Sequence, residues 1–349
     1  MPLVPFLHRI ANRENLTADQ AREAMDVILS GRSSTAQIAA FLVALRMKGE
    51  APEELLGFAR AMRERATPVD VHSNGQPLLD TCGTGGAGSK TFNVSTITAL
   101  VVAGAGVRVA KHGNRSLASL CGSADILEGL GVTINIPADQ IAGAIHDVGI
   151  GFMFAPSIHP AMKHAQPARA ELKMRTAFNL LGPLTNPARA NVQLVGAPSV
   201  RAAELIAQAL ACLGLNRGFV VHGLDGLDEI TTTGETLVLE IRGGVIAQDT
   251  LTPADFGVPT ARPQDLEGGD CQTNCEIAKE VLSGGQGPRR DIVLVNASAA
   301  LVAAGKAADF HEGVRLAAHS IDTGAAQSKL EALITFTSTT GVQSGRPRQ

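Results

Sequence analysis

The chain has 349 residues, 45% hydrophobic and 18% charged, with a formal net charge of −3 and neither Trp nor Tyr. That size allows a large buried core divided into two domains, while the lack of a basic excess and of base-stacking rings argues against a nucleic-acid surface. No 18-residue uncharged apolar run occurs and no hydrophobic signal core follows the N-terminal basic residues, so no membrane partner is expected and the expected location is cytoplasmic.

Residues 1–68 read as wholly helical. Thr17 and Gln20 form a capping box before a helix that Gly31 stops, residues 36–47 are periodic, and Pro52 opens a helix ending near Ala66. Three short amphipathic helices are too few to bury their own apolar faces, which predicts packing on another domain or a second subunit. The polar, turn-rich stretch 67–77 reads as a hinge.

Beyond it, apolar runs at 78–81, 107–110, 132–136, 150–154, 192–195 and 219–221 alternate with helical stretches, the pattern of a mostly parallel sheet flanked by helices. The fold class expected is therefore α/β, with a small all-helical N-terminal domain (1–70, joined by part of 158–190) and a larger domain over 76–345. Residues 158–181 are helical, rich in basic residues, and able to return to the helical domain and line a cleft. The polar terminus after Ser338 is expected to fray. Cys82, Cys121, Cys212, Cys271 and Cys275 are odd in number and scattered, with no second pair to complete a zinc site, and are read as free thiols.

Three loops carry the chemistry. The first strand ends at Asp80 and runs through Cys82-Gly83-Thr84-Gly85-Gly86-Ala87-Gly88-Ser89-Lys90 to Thr91-Phe92-Asn93-Val94-Ser95-Thr96, where a helix begins. Glycines let backbone N–H groups close on an anion and the helix dipole favours negative charge, so this is a phosphate cradle. Gly83, Gly85 and Gly88 match a dinucleotide fingerprint, but no acid for a ribose lies between Asp80 and Asp125, and Ser89 before Lys90 breaks a nucleotide P-loop. A ligand-free glycine turn is the alternative.

The second loop, Lys111-His112-Gly113-Asn114-Arg115-Ser116, follows the run 107–110. With Lys90 and Arg108 it forms an acid-free basic window that should adjoin the cradle at the strand ends. The third, His222 to Glu229 (HGLDGLDE), supplies Asp228 and Glu229, hard oxygen donors suited to Mg2+ beside substrate phosphates.

GTGG, TFNVST, KHGNRS, GSADILEGLG, HPAM, RTAFNLLGPLTNPA and VVHGLDGLDE, in this order, resemble the anthranilate phosphoribosyltransferase family, and the likeness covers essentially the whole chain. It implies a transferase of tryptophan biosynthesis that moves phosphoribose from 5-phosphoribosyl 1-pyrophosphate (PRPP) to the amine of anthranilate, with Mg2+ as cofactor. It further implies PRPP contacts from Gly83, Gly86, Thr91, Asn93, Ser95, Thr96, Lys111, Ser119 and Ser123, with Ala87, Val94, His112, Gly113, Asn114, Arg115 and Ser116 also among the substrate-binding positions. Magnesium falls to Ser95, Asp228 and Glu229. Gly83, Asn114 and Arg169 are implied for anthranilate, with His112, His159 and Pro183 shaping its pocket; His112, Asn114 and Arg169 are the expected catalytic residues. A guanidinium at Arg169 can take a carboxylate in a bidentate pair.

The chain departs from the family at Ala87, where Asp is usual, at Ala118 and Leu120, which leave only Ser119 of the serine pair, and at Lys173, which replaces a glycine. A pyrimidine nucleoside phosphorylase is similar in fold but reads Lys-x-Ser-x-Arg where this chain has Lys111 to Arg115. Nucleic-acid-binding relatives would carry a basic groove and lack the Asp228–Glu229 pair. A homodimer through the helical domain is expected, with no nucleic-acid or membrane partner.

Overall fold

The computed structural model describes residues 2–72, 75–85, 91–116 and 120–343. Four helices open the chain: α1 (Val4–Ala11), α2 (Ala18–Leu29), α3 (Thr35–Lys48) and α4 (Pro52–Arg65). The capping box at Thr17 forms as expected, Ser34 builds a second on α3, and Gly31 follows α2 in the left-handed region at φ 71°. The first helix, α1, lies outside the three expected; Pro5 in its first turn marks its start.

Then follow β1 (Leu78–Asp80), α5 (Val94–Gly104), β2 (Arg108–Gly113), α6 (Ser123–Gly129), α7 (Ala138–Asp147), β3 (Ile150–Phe154) and α8 (Ala155–Ile158). Next come α9 (Gln166–Leu172), α10 (Phe178–Leu181), β4 (Val192–Gly196), α11 (Val200–Cys212), β5 (Arg217–Gly223), β6 (Thr236–Arg242) and β7 (Val245–Leu251). The chain ends in α12 (Cys271–Leu282), α13 (Pro288–Ala303), α14 (Phe310–Asp322) and α15 (Ala325–Gln343). The strands form one sheet in the order β3-β2-β1-β4-β5-β6-β7, parallel from β3 through β5 and antiparallel at β5-β6-β7.

Side chains alternate between the two faces of this sheet. Val192, Leu194, Phe219 and Val221 join α5 and α12–α15 in one core, whereas Val195 and Val220 join the N-terminal helices, α10 and α11 in the other. The apolar faces of α1–α4 are thus covered within the chain, by the returning segment 165–184 and by α11. The stretch 158–181 is not one helix: it breaks at the one-turn helix Pro160–His164 and again where Lys173 takes a left-handed conformation.

Several expectations differ from the fold. Residues 132–136 alternate but form no strand; Val132 and Ile134 are buried, yet the Thr133 N–H donates to Thr337 Oγ1 on α15 at 3.1 Å instead of to a neighbouring strand. The strands β6 and β7 were not foreseen. Helix α15 continues past Ser338 to Gln343. The cysteines are not all free: Cys121 and Cys271 form a disulfide across a sequence separation of 150, with Cα atoms 5.0 Å apart, leaving Cys82, Cys212 and Cys275 as thiols. The described residues of 67–77 carry no helix, and Thr67 N–H donates to Ile158 O at 2.8 Å.

Candidate active site

The strand order sets β1 beside β4, with the connection from β1 running to β2 on one side and that from β4 running to β5 on the other, so the topology reverses between them and a crevice is expected beyond their C-terminal ends. From β1 the chain enters the glycine loop, where the Thr84 N–H donates to Gly196 O, the last residue of β4, at 3.0 Å. A Cβ on Gly196 would overlap the Asp228 carbonyl, so only glycine lets the β5 loop come this close. The start of the glycine loop and the acidic pair are thereby brought to one place. Arg175 closes the group, its Nη2 donating to Gly85 O at 3.0 Å and its charge favouring ionised Asp228.

Behind the loop, Asn93 precedes α5, and its side chain is used sideways: Nδ2 donates to Cys121 O and Oδ1 accepts from Asn274 Nδ2, both at 3.0 Å. Val94, Ser95 and Thr96 fill the first turn of α5, which contains no acid. The dipole there favours an anion. Val94 and Thr96 are buried, and the Thr96 hydroxyl has no hydrogen-bond partner among the described residues. Thr91 pairs in an isolated bridge with Glu267, fixing the far wall of the cradle. Gly83 abuts Gly196. Gly86, Ala87 and Ser119, with Lys90 and Ala118, lie outside the described residues.

The second loop is shorter than the sequence suggested. Lys111, His112 and Gly113 belong to β2, and Lys111 and His112 are buried within the sheet. Lys111 Nζ donates to Thr81 Oγ1 at 3.1 Å and to Thr81 O at 3.3 Å. Burial lowers its proton affinity, against which the Asp80 carboxylate works. Asp80 is itself fully buried and pushed up to about 6 by burial; it accepts the His112 N–H at 3.1 Å and Asn186 Nδ2 at 2.7 Å.

The acid-free window does not form. Arg108 sits at the opposite end of β2 and donates to His72 O, while Arg115 is gripped by Asp125 at 2.7 Å and Glu128 at 2.5 Å. Asn114 and Arg115 are exposed, and the Ser123 hydroxyl donates to Asn114 O at 3.2 Å.

Asp228 and Glu229 follow β5 on a braced turn. Asp225 accepts the Leu227 N–H and the Thr231 and Thr233 hydroxyls, and buried Asn296 on α13 bonds both the N–H and C=O of Ile230, at 3.0 and 2.9 Å. Burial pushes the Glu229 carboxyl up to about 8, reinforced by the Asp228 charge and opposed by Lys111 and the Ser95 N–H. Two adjacent carboxylates that burial and mutual repulsion hold back from ionising fit a divalent cation, which would relieve both. Among the described residues no three His, Cys, Asp or Glu side chains form a ligand set. The donor set therefore suits a hard cation completed by a hydroxyl, substrate phosphates and water.

Arg169 on α9 lies 5.2 Å over the Phe178 ring and has no ion-pair partner among the described residues. Burial lowers its proton affinity. Phe178 begins α10, which leads into Gly182 and buried Pro183. The Gly182 carbonyl meets His112 Nδ1 at 3.1 Å and the Pro183 carbonyl accepts Gln193 Nε2 at 2.8 Å. His112 and His159 pack with ring centroids 5.1 Å apart, and burial holds them down at about 4 and about 3. A carbonyl only accepts, so the His112 proton sits on Nδ1 and a lone pair on Nε2, which is buried without a partner among the described residues.

The glycosyl transferase family models match the chain with their helical bundle domain over residues 4–66 and their a/b domain over residues 75–327. An anthranilate phosphoribosyltransferase of Solibacter usitatus is 61% identical over 336 residues, covering 96% of this chain and 99% of the relative. The chain belongs to the anthranilate phosphoribosyltransferase family. Another member, from Geobacter sulfurreducens, is 50% identical over 94% of this chain and 97% of its own length. The crystal structure of the Thermus thermophilus member superposes with a TM-score of 0.90 at 43% identity, covering 97% of this chain and all (100%) of that one. The Saccharomyces cerevisiae member in complex with PRPP and Mg superposes at 0.89 with 29% identity, covering 97% and 98%.

Asp80, Asn186, Gly196, Arg175 and Asn296 are the framework residues that sequence reasoning missed. Arg175 and Asn186 stand inside a quoted motif, RTAFNLLGPLTNPA, and a polar residue so placed is the one signal that pointed to them. Asn296 carries no local signal, since it reaches Ile230 across 66 positions.

Proposed function

We propose that the crevice transfers the phosphoribosyl group of PRPP to the amine of anthranilate, releasing pyrophosphate. One observation carries the reading: the start of the glycine loop and the Asp228–Glu229 turn meet at Gly196, and Arg169, over the Phe178 ring, stands half-buried without a carboxylate of its own among the described residues. The yeast member bound to PRPP and Mg supports the donor, and the yeast member in complex with 4-fluoroanthranilate supports the acceptor.

In this reading Gly83, Thr91, Asn93, Val94, Ser95 and Thr96, with Lys111, Gly113, Asn114, Ser116 and Ser123, hold PRPP; Gly86, Ala87 and Ser119 are proposed from the resemblance alone. Arg115, held by Asp125 and Glu128, braces the turn between β2 and α6. Ser95, Asp228 and Glu229 would hold Mg2+, which neutralises charge on the departing pyrophosphate when bound. Lys111 and the α5 dipole act on the same charge, fixed in place before the bond breaks. Arg169 takes the anthranilate carboxylate, Asn114 and Gly83 border the amine, and His112, His159 and Pro183 shape the pocket.

The aromatic amine is unprotonated at neutral pH and attacks C1 of the ribose as the C1–O bond to pyrophosphate breaks; the nitrogen then gives up its proton to the departing pyrophosphate or to water, so no strong base is needed. Neutral His112 and His159 add no positive charge near the oxocarbenium-like sugar that develops. The test is loss of anthranilate fluorescence on mixing with PRPP and Mg2+, with stoichiometric pyrophosphate release. Fluorescence unchanged at saturating substrates would overturn the reading.

We also infer a cytoplasmic homodimer. No helix among the described residues is long and apolar enough to cross a membrane, and Met47 on α3 is 74% exposed on the N-terminal helices, where a second copy would cover it. The covering of α1–α4 by α11 and residues 165–184 means that the dimer is not required to complete their core. Sedimentation at micromolar concentration should give twice the chain mass; a monomer would count against the dimer.

A further inference from the structure

Arg115 was expected to face phosphate, yet its guanidinium lies between two carboxylates, Asp125 at 2.7 Å and Glu128 at 2.5 Å, with the Phe154 ring 5.6 Å away. A single cation between two acids presents no net positive charge to a pyrophosphate. What it does is geometric. The same Asp125 accepts two backbone N–H groups, from Gly122 at 2.9 Å and from Ser116 at 3.2 Å. These donors stand on opposite sides of the turn between β2 and α6, and Asp125 joins them.

The neck so formed is tight. Asn114 O accepts the Ala124 N–H and the Ser123 hydroxyl, both at 3.2 Å, and the Arg115 N–H donates to Asn114 Oδ1 at 2.7 Å. A Cβ on Gly122 would overlap the Ser116 nitrogen and the Asn114 carbonyl. Burial works against the ionised form of Asp125, but Arg115 and the Gly122 and Ser116 N–H groups more than offset it and hold the carboxyl below its ordinary value.

We propose that Asp125 is a positioning residue for the donor site, its carboxylate tying Arg115, Ser116 and Gly122 into the neck that presents Asn114, Ser116 and Ser123 to PRPP. This rests on the reading of the crevice as a PRPP site. Asp125 touches no substrate and Arg115 is its strut, not a phosphate ligand. Residues 117–119, outside the described ones, are not needed for the argument.

A double-mutant cycle tests it in the full-length enzyme with Mg2+, measuring the Michaelis constants for PRPP and anthranilate, calorimetric PRPP affinity and thermal midpoint. A hydrogen bond to a charged group corresponds to about tenfold or more in affinity. Asp125→Ala should therefore raise the PRPP constant roughly tenfold or more, with a smaller change for anthranilate. Arg115→Ala should do less, and the double variant should be no worse than Asp125→Ala, because both act through one device. Asp125→Asn, whose amide oxygen still accepts one N–H, should fall between wild type and Asp125→Ala.

Additive losses would make Arg115 an independent phosphate ligand and overturn the proposal. So would an unchanged PRPP constant in Asp125→Ala, or equal rises for both substrates with a collapsed midpoint, which would mark a merely structural residue. A wild type that binds PRPP in the calorimeter but does not consume anthranilate would remove the reading of the acceptor and leave the cycle, run on PRPP affinity, still decisive for Asp125.

Discussion

The rings of His112 and His159 stand 5.1 Å apart at an interplanar angle of 60°. Burial is the largest cause that keeps both neutral; Lys111 beside His112 and His112 beside His159 add to it. Folded, they accept protons only at about 4 and about 3, whereas an unfolded histidine does so near 6.5. Between those values the unfolded chain binds more protons, so the stability linked to this pair is complete above about pH 6.5 and drains as pH falls through the window.

His159→Asn should accordingly flatten the loss of stability between about pH 6.5 and 4, read from urea unfolding at a series of pH values. Asp80, pushed up to about 6, acts in the opposite sense over part of this range but is common to both proteins and cancels in the difference. An equally steep profile in the variant would contradict the assignment.

The Asp228–Glu229 turn is braced by Asp225 and Asn296, so isosteric amides should keep its shape. Asp228→Asn with Glu229→Gln is expected to lower turnover on the order of a hundredfold or more at limiting Mg2+, since electrostatic stabilisation of a leaving group by a metal amounts to several kcal/mol. Wild-type turnover at limiting metal would show that the pair is not the cation site.

Lys173 ends α9 at φ 47° and ψ 34°, the left-handed region, at the position where the resemblance called for glycine. An L side chain there costs on the order of 1 kcal/mol. Lys173→Gly should raise the chain's unfolding free energy by about that amount, offset in part by the freedom glycine gains when unfolded. A lower denaturant midpoint would mean that the lysine makes a compensating contact.

The sequence displayed what is local and hid what is folded together. The Thr17–Gln20 box and the Val192 to Val195 run depend on neighbours a few positions away, and each appears where it was read. Arg115 looked like a free cation because its partners, Asp125 and Glu128, come near only once α6 has turned, and Lys111 looked like a loop residue because β2 runs three residues further than its apolar run. The 132–136 alternation was real as burial but misleading as backbone, since Thr133 bonds to a helix side chain. The Cys121–Cys271 pair and the hold of Asn296 on Ile230 span 150 and 66 positions and leave no periodic trace.

The crevice is proposed to have two ends, an acceptor end built on Arg169 and a donor end built on Gly83 and the first turn of α5. The guanidinium of Arg169 is half-buried over Phe178, where a charge-assisted bond to a carboxylate is worth about 1.5 to 3 kcal/mol. Steady-state kinetics on Arg169→Ala, varying each substrate in turn, tests this most directly. The expected result is a Michaelis constant for anthranilate raised roughly 10- to 150-fold with that for PRPP nearly unchanged, and only partial recovery in Arg169→Lys, whose point charge cannot reproduce the planar fork. Equal losses for both substrates, or no loss for anthranilate, would contradict it.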